Sequence, residues 1–308
     1  MIKQTIEISS KPTHLRVRNG QLQIEQREDE SKTTASVPCE DIGILVVDQV
    51  QTTYTHSALT TLAESGAIVL VCGQDHLPVG MLLPLAEHTE VVWRIAEQID
   101  ISKPLQKQLW RQLVQAKIRA QAKNLPENTP QRTRLLNLAQ RVRSGDPSNM
   151  EAQAAKVYWS AWLEENHPFR RDPDGKDPLN SLLNYGYAVL RAAVARAVVC
   201  AGLLPAIGLH HANRSNAFCL ADDLMEPLRP LVDARVRSLY GSGCREIDPA
   251  AKQELLGILT QKASSKDGAT GPLMVSLQRM VASLVHCFEG NEKEIDIPTA
   301  VDTCESCN

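Results

Sequence analysis

Residues 91–123 read VVWRIAEQIDISKPLQKQLWRQLVQAKIRAQAK. Apolar side chains recur here at three- and four-residue spacing, through Val91–Ile99 and again through Pro104–Lys123, the period of helices with one buried face. Upstream the period is different. Residues 2–8 alternate apolar and polar, Leu15–Val17 and Leu22–Ile24 flank the turn pair Asn19-Gly20, and Ile42–Val47 and Ala67–Cys72 are unbroken apolar runs of buried-strand length. Between those runs, Thr55–Ser65 carries a helical pattern that stops at Gly66. The change of period predicts an α+β chain: a small β-rich N-terminal domain over residues 1–95, a larger, mainly α-helical domain over 96–290, and an acidic, polar tail over 291–308 expected to be flexible.

Helical patterns continue downstream. Gln131–Val142 resumes after Pro126 and Pro130, and Gly145–Asn149 is a turn and cap for a helix from Met150. Further helices are expected at Leu179–Leu204, Asp222–Asp233 and Pro272–Phe288, with His167–Pro178 a polar loop. At 308 residues, with 43% hydrophobic and 22% charged, the balance is that of a globular chain with a sizeable core. The nearest approach to a membrane span, Ala192–Leu204, is interrupted by Arg196 and ended by Pro205, so it reads as a core helix and no membrane is expected. No signal-peptide core follows Met1, and the expected location is the cytoplasm. The eight cysteines are scattered and are expected as free thiols; Cys304 and Cys307 have the spacing of half a zinc site, with no second pair or His after them. Phosphate-loop, nucleophile-elbow and dinucleotide motifs do not occur, so nucleotide hydrolysis and acyl transfer have no support.

The net charge is only −3, but its distribution is uneven. From Lys103 to Arg143 there are ten basic residues and a single acid, Glu127. Such a stripe suits a phosphate backbone, whose condensed counterions are released on neutralisation. Lys107, Arg111, Lys117 and Arg119 are the leading DNA contacts, with Arg170 and Arg171 in the polar loop a second set. A merely solvated helix face, the plainer alternative, normally mixes both signs.

The densest chemistry is Gly208-Leu209-His210-His211 followed by Phe218–Pro230, FCLADDLMEPLRP. In a helix Asp223 and Glu226 project from one face, and Asp222 with Glu226 is a competing pair. Acids beside a Leu220, Leu224, Leu228 stripe sit at the edge of a core and need a cation or a hydrogen-bonding partner. Oxygen ligands with one imidazole suit Mg²⁺ or Mn²⁺; helix capping and a solvent-facing His pair are the alternatives.

These motifs, together with Asp177–Leu190 (DPLNSLLNYGYAVL) and Glu151–Trp159 (EAQAAKVYW), resemble the CRISPR-associated adaptation integrase family, the first Cas protein, in the form found in type II systems. The resemblance implies a divalent-metal-dependent DNA endonuclease and strand transferase that inserts short duplexes into a CRISPR array by 3′-hydroxyl attack on a phosphodiester. It implies Glu151, His211 and Glu226 as catalytic metal ligands, with Asp223, His210 and Asn184 as supporting or alternative groups. It also implies Mg²⁺ or Mn²⁺, spacer-precursor and repeat DNA as partners, a homodimer formed through the N-terminal domain, and a heterohexamer with the second CRISPR adaptation protein. A structure-selective nuclease, using water in place of the 3′-hydroxyl, and a non-catalytic nucleic-acid scaffold are the rival readings. Two acids crowded at one metal-free site are further expected to push at least one carboxyl pKa upward.

Overall fold

The computed structural model describes residues 3–27, 32–85, 89–163 and 169–301. Strands β1 (Gln4–Ile8), β2 (Thr13–Arg18), β3 (Gln21–Arg27), β4 (Lys32–Pro38), β5 (Ile42–Val47) and β6 (Thr53–Tyr54) come first, then helix α1 (His56–Glu64) and strands β7 (Ile68–Cys72) and β8 (Pro78–Leu82). They form two four-stranded sheets, ordered β1-β5-β7-β8 and β4-β3-β2-β6. Asn19 and Gly20 both take positive φ, which closes the β2–β3 hairpin in register Arg18 to Gln21.

β5 is the strand that joins the two halves of the molecule. All six of its residues are buried. Ile42, Leu45 and Val47 pack with Leu15, Leu22 and Leu62 between the sheets and α1, whereas Ile44 and Val46 enter the helical core. A strand without a solvent face has no place for polar side chains, which is why it appears in the sequence as an unbroken apolar run.

Helices α2 (Val91–Asp100), α3 (Lys103–Lys123), α4 (Pro130–Arg141), α5 (Met150–Ala161), α6 (Pro178–Cys200), α7 (Cys219–Met225), α8 (Arg229–Gly241), α9 (Pro249–Leu256) and α10 (Leu273–Phe288) follow. The expected α+β class is the observed one. α6 is apolar on nearly all sides and packs against α7, α8, α9 and α10. By length and composition alone it is a membrane-spanning candidate, but 83% of its most apolar window is enclosed by the rest of the chain. It is the central core helix.

Several boundaries differ from expectation. The helix expected over Leu179–Leu204 ends at Cys200, where Gly202 turns the chain at φ 78°. The helix expected over Asp222–Asp233 is two helices, α7 and α8, joined by a single 3-10 turn at Glu226–Leu228; Pro227 lacks the amide hydrogen that a continuous helix needs there. Strands β9 (Lys262–Ser264), β10 (Thr270–Pro272) and β11 (Thr299–Ala300) form a small antiparallel sheet, too short to show a period in sequence. The stretch after Gly290, expected to be loose, is packed over part of its length: Ile295 is buried and β11 pairs with β9. Cys304 and Cys307 lie outside the described residues, and the other six cysteines are free thiols.

α6 lies close enough to α8 that a Cβ at Gly186 would stand 2.5 Å from Val232 Cγ1. Gly186→Ala gains helix propensity, yet overpacking should outweigh it and lower unfolding free energy by about 1–3 kcal/mol. Chemical denaturation checks this, and an unchanged midpoint would mean that the α6–α8 contact yields without strain.

Candidate metal centre

α3 supplies the floor of the site. Trp110 and Lys117 are seven residues apart, two helical turns, so both project from the same inward face. Glu151 is brought to that face by the turn before α5. Gly145 N donates to Lys107 O at 2.9 Å, which ties the turn to α3. The Asp146 carboxylate accepts from Met150 N at 2.8 Å and Glu151 N at 3.0 Å, while Asn149, at φ 50°, caps Ala152 N at 3.2 Å. The doubly capped first turn fixes the direction of Glu151.

Glu226 comes from the 3-10 turn between α7 and α8 and is only 6% exposed. Lys117 Nζ donates to Glu151 Oε1 at 2.6 Å and also contacts Glu226 Oε2. The second contact is an ion pair outside hydrogen-bond geometry, and among the described residues that oxygen has no hydrogen-bond partner. Arg229 Nε donates to the other oxygen, Oε1, at 2.8 Å. Arg229 in turn lies 4.7 Å from the centre of the Tyr187 ring, whose hydroxyl donates to buried Asp233.

The histidine arm is built from a loop clamped onto α7. Fully buried Asp223 accepts from His210 N at 2.8 Å and His211 N at 3.3 Å, and its Oδ1 lies 2.5 Å from His211 Nδ1. Gly208 makes the clamp possible, since a Cβ there would sit 2.5 Å from His211 O and 2.7 Å from Asp223 Oδ2. With Nδ1 held by a carboxylate, Nε2 is the ring nitrogen left to face a ligand, the arrangement a metal-ligating histidine uses. His210 instead stacks on Trp110, with ring centroids 4.3 Å apart and planes within 3°.

Among the described residues no three His, Cys, Asp or Glu side chains close around one point at ligating distance. Glu151 and Glu226 meet through Lys117, with His211 close enough for both acids to act on its charge. The donors still suit a hard dication: two carboxylates, one imidazole pre-set by Asp223, and one buried carboxylate oxygen without a hydrogen bond. Asp222 is committed elsewhere, paired with Arg191 at 2.7 and 2.5 Å. Asn184 bonds Arg171 at 2.6 Å and the Pro173 carbonyl at 2.9 Å.

The basic stripe divides. Lys107, Arg119 and Arg170 are exposed. Arg111 and Arg119 line a groove of about 680 Å³ with Lys123, Lys266 and Lys293. Arg171 is half-buried, held by Asn180 and Asn184. Lys117 corrects the sequence reading: its side chain is 12% exposed and paired to two glutamates, so it belongs to the centre and not to the outer surface. Sequence reasoning also missed Trp110 and Arg229; the two-turn spacing from Trp110 to Lys117 and the three-residue spacing from Glu226 to Arg229 were their only signals.

A sequence profile described as "CRISPR associated protein Cas1" matches residues 6–266. The chain is 39% identical over 287 residues to the CRISPR-associated endonuclease Cas1 of Neisseria meningitidis serogroup C (strain 8013), covering 91% of this chain and 93% of that protein. Its fold is similar to that of a casposase bound to integration product, with TM-score 0.78 and 19% identity over 96% of this chain and 93% of that one. It is also similar to a Cas6-RT-Cas1–Cas2 complex chain, with TM-score 0.75 and 18% identity over 94% of this chain and 35% of that one.

The charges at the centre do not behave as a pair of crowded acids. Burial pushes the Glu226 carboxyl up, but Arg229 and Lys117 outweigh it and hold it at about 2. The expected upward shift from acid repulsion is absent at Glu226 because each oxygen faces a cation. Burial likewise pulls the Lys117 ammonium down, and Glu226 and Glu151 more than offset it. With the Glu226 carboxyl held below its ordinary 4.5, its stabilising contribution is complete above that value and is lost as pH falls toward about 2. The Asp223 hydrogen bond raises the His211 imidazole against its burial, so that contribution is present at low pH and lost as pH rises through the raised midpoint. Asp223→Asn should lower the His211 midpoint in an NMR titration of its ring protons. A midpoint that stays put would mean that Asp223 does not hold the ring.

Proposed function

The chain belongs to the Cas1 family of CRISPR-associated proteins, and we propose that it is the metal-dependent DNA endonuclease and strand transferase of CRISPR adaptation. In this reading it inserts short DNA duplexes into the repeat array. The observation that carries the proposal is that Glu151 and Glu226, from separate segments, meet on the Lys117 ammonium, with His211 from a third segment near enough to feel both charges. Nothing in local helix formation requires them to meet. Glu151, Glu226 and His211 Nε2 would hold Mg²⁺ or Mn²⁺, which would supply charge stabilisation for an in-line phosphoryl displacement.

The chain's own residues set the rest of the chemistry. Asp223 aims the His211 ring, and Arg229 fixes Glu226 by one oxygen. A DNA 3′-hydroxyl gives its proton to solvent water as it attacks the phosphorus, the new P–O bond forms opposite the breaking one, and the displaced 3′-oxygen takes a proton back from water. No protein nucleophile is needed. Duplex DNA lies on the solvent side of α3, on exposed Lys107 and Arg119 and half-buried Arg111, with exposed Arg170 as a second contact.

The exposed apolar side chains Val79, Leu85, Val92 and Trp93 support a homodimer through residues 1–95 and the start of the helical region. The partner implied by the fold's appearance in a Cas1–Cas2 assembly is the second adaptation protein, in a heterohexamer. The site of action is the prokaryotic cytoplasm, where the array is.

Two outcomes test this reading. Incubated with a repeat-containing plasmid, a short duplex, Mn²⁺ and the second adaptation protein, the chain should give joined products, and Glu226→Ala should abolish them. Fragments without joining would point to a structure-selective nuclease. Separately, Lys107→Glu with Arg119→Glu should weaken duplex binding and flatten its salt dependence, by about 0.9 in logarithmic slope for each phosphate no longer neutralised. Binding isotherms unchanged across salt concentrations would make this face a solvated one.

A further inference from the structure

Lys117 has a place that the metal reading leaves unexplained. Its ammonium touches Glu151 Oε1 and Glu226 Oε2, one oxygen from each of the two carboxylates assigned to the cation. We propose that Lys117 is an exchangeable counter-ion, holding the position between Glu151 and Glu226 until a divalent cation displaces it, so that metal affinity is set by competition with this side chain. The inference rests on the metal-site reading above and deepens it.

Three observations carry it. The first is steric and electrostatic. A Mg²⁺ or Mn²⁺ ion needs oxygen ligands at about 2.0–2.2 Å. It cannot share the same two oxygens with an ammonium 2.6 Å from one of them and in contact with the other, because like charges at such range repel strongly in a dry site. One of the two must leave.

The second is the quality of the contacts. Lys117 satisfies Glu151 Oε1 with a proper hydrogen bond. It meets Glu226 Oε2 outside hydrogen-bond geometry, and among the described residues that buried oxygen has no hydrogen bond. A hard dication takes carboxylate oxygens as its ligands and would engage Glu226 Oε2 as well as Glu151 Oε1, so the pair of oxygens suits it better than it suits the ammonium.

The third is the difference between the two cations on Glu226. Arg229 grips Oε1 and lies against the Tyr187 ring, backed by the Tyr187–Asp233 hydrogen bond. Lys117 hangs on a flexible four-carbon stem with its charge as a point at the end. The arginine is the fixed counter-ion and the lysine the movable one. Together they keep a buried pair of acids balanced before metal arrives, and only one of them has to move when it does.

The test is Mn²⁺ binding to the full-length, DNA-free protein, read from the electron paramagnetic resonance signal of free Mn²⁺. Lys117→Met, which keeps the stem and removes the charge, should bind Mn²⁺ about tenfold more tightly than the parent, equivalent to about 1.4 kcal/mol. Lys117→Arg, with a guanidinium that holds carboxylates through two bonds, should bind it more weakly. Equal or weaker binding by Lys117→Met overturns the proposal. If Lys117→Met does not fold, Lys117→Arg decides alone, and binding equal to or tighter than the parent overturns it. Glu226→Gln separates the two readings. Should the parent take up no Mn²⁺, or Glu226→Gln take it up as the parent does, the metal site itself is wrong and the competition falls with it. Should Glu226→Gln lose Mn²⁺ while the Lys117 variants match the parent, only the competition is wrong.

Discussion

A carboxylate enters a protein interior only in the company of positive charge, and Glu226 is the point at which this rule shapes the helical region. Its burial would raise its proton affinity and neutralise it, but Arg229 and Lys117 each face one oxygen and keep it charged. The demand spreads outward. Lys117 must come from α3, so α3 packs on the 3-10 turn; Arg229 must be held, so Tyr187 lies against it and Asp233 behind Tyr187. Glu151 then joins the same ammonium from α5. One buried charge thereby specifies how α3, α5, α6 and α8 meet.

The N-terminal sheets are attached to this assembly by a different device. β5 contributes one face to each core, and polar ties cross the seam beside it: Lys252 of α9 to Asp48, and Arg196 of α6 to the Gly66 carbonyl at 2.7 Å. Buried ion pairs add little net stability, but they penalise alternative packings that leave a charge alone. The seam is therefore specific in register, and the helical region receives a fixed N-terminal platform.

α3 shows how a single helix serves two purposes. Lys117 and Arg119 are about 200° apart around its axis. One side lines the charged centre and the other lines an open basic groove. DNA lying on the outer face would be held by phosphate contacts that do not draw on the residues of the centre, so affinity and chemistry can be altered independently. The aromatic side chain that completes the inner face, Trp110, stacks on His210 and thereby holds the loop whose next residue is His211.

The change from two-residue to three- and four-residue apolar spacing near residue 95 is a local property, and it was enough to indicate α+β architecture with β-rich structure first. The buried character of β5 and of Ile68–Leu70 in β7, though not of Val71, and the Asn19-Gly20 hairpin turn were legible for the same reason, since each depends on neighbours in the chain. As a set of three, Glu151, His211 and Glu226 came from motif resemblance; residue chemistry alone singled out the His pair, Asp223 and Glu226, because nothing within one segment reports what another brings to it. Folding decided what spacing cannot encode. Lys117 looked like one more member of a basic stripe until α3 turned it inward, since charge type does not reveal which helix face meets the core. His211 rather than His210 is oriented by Asp223 because the Gly208 loop folds that way against α7. Pairing between residues far apart in the chain, as between Lys117 and Glu151, exists only once the intervening helices have packed. The short strands β9 to β11 are likewise set by their partners, being too brief to carry a period of their own.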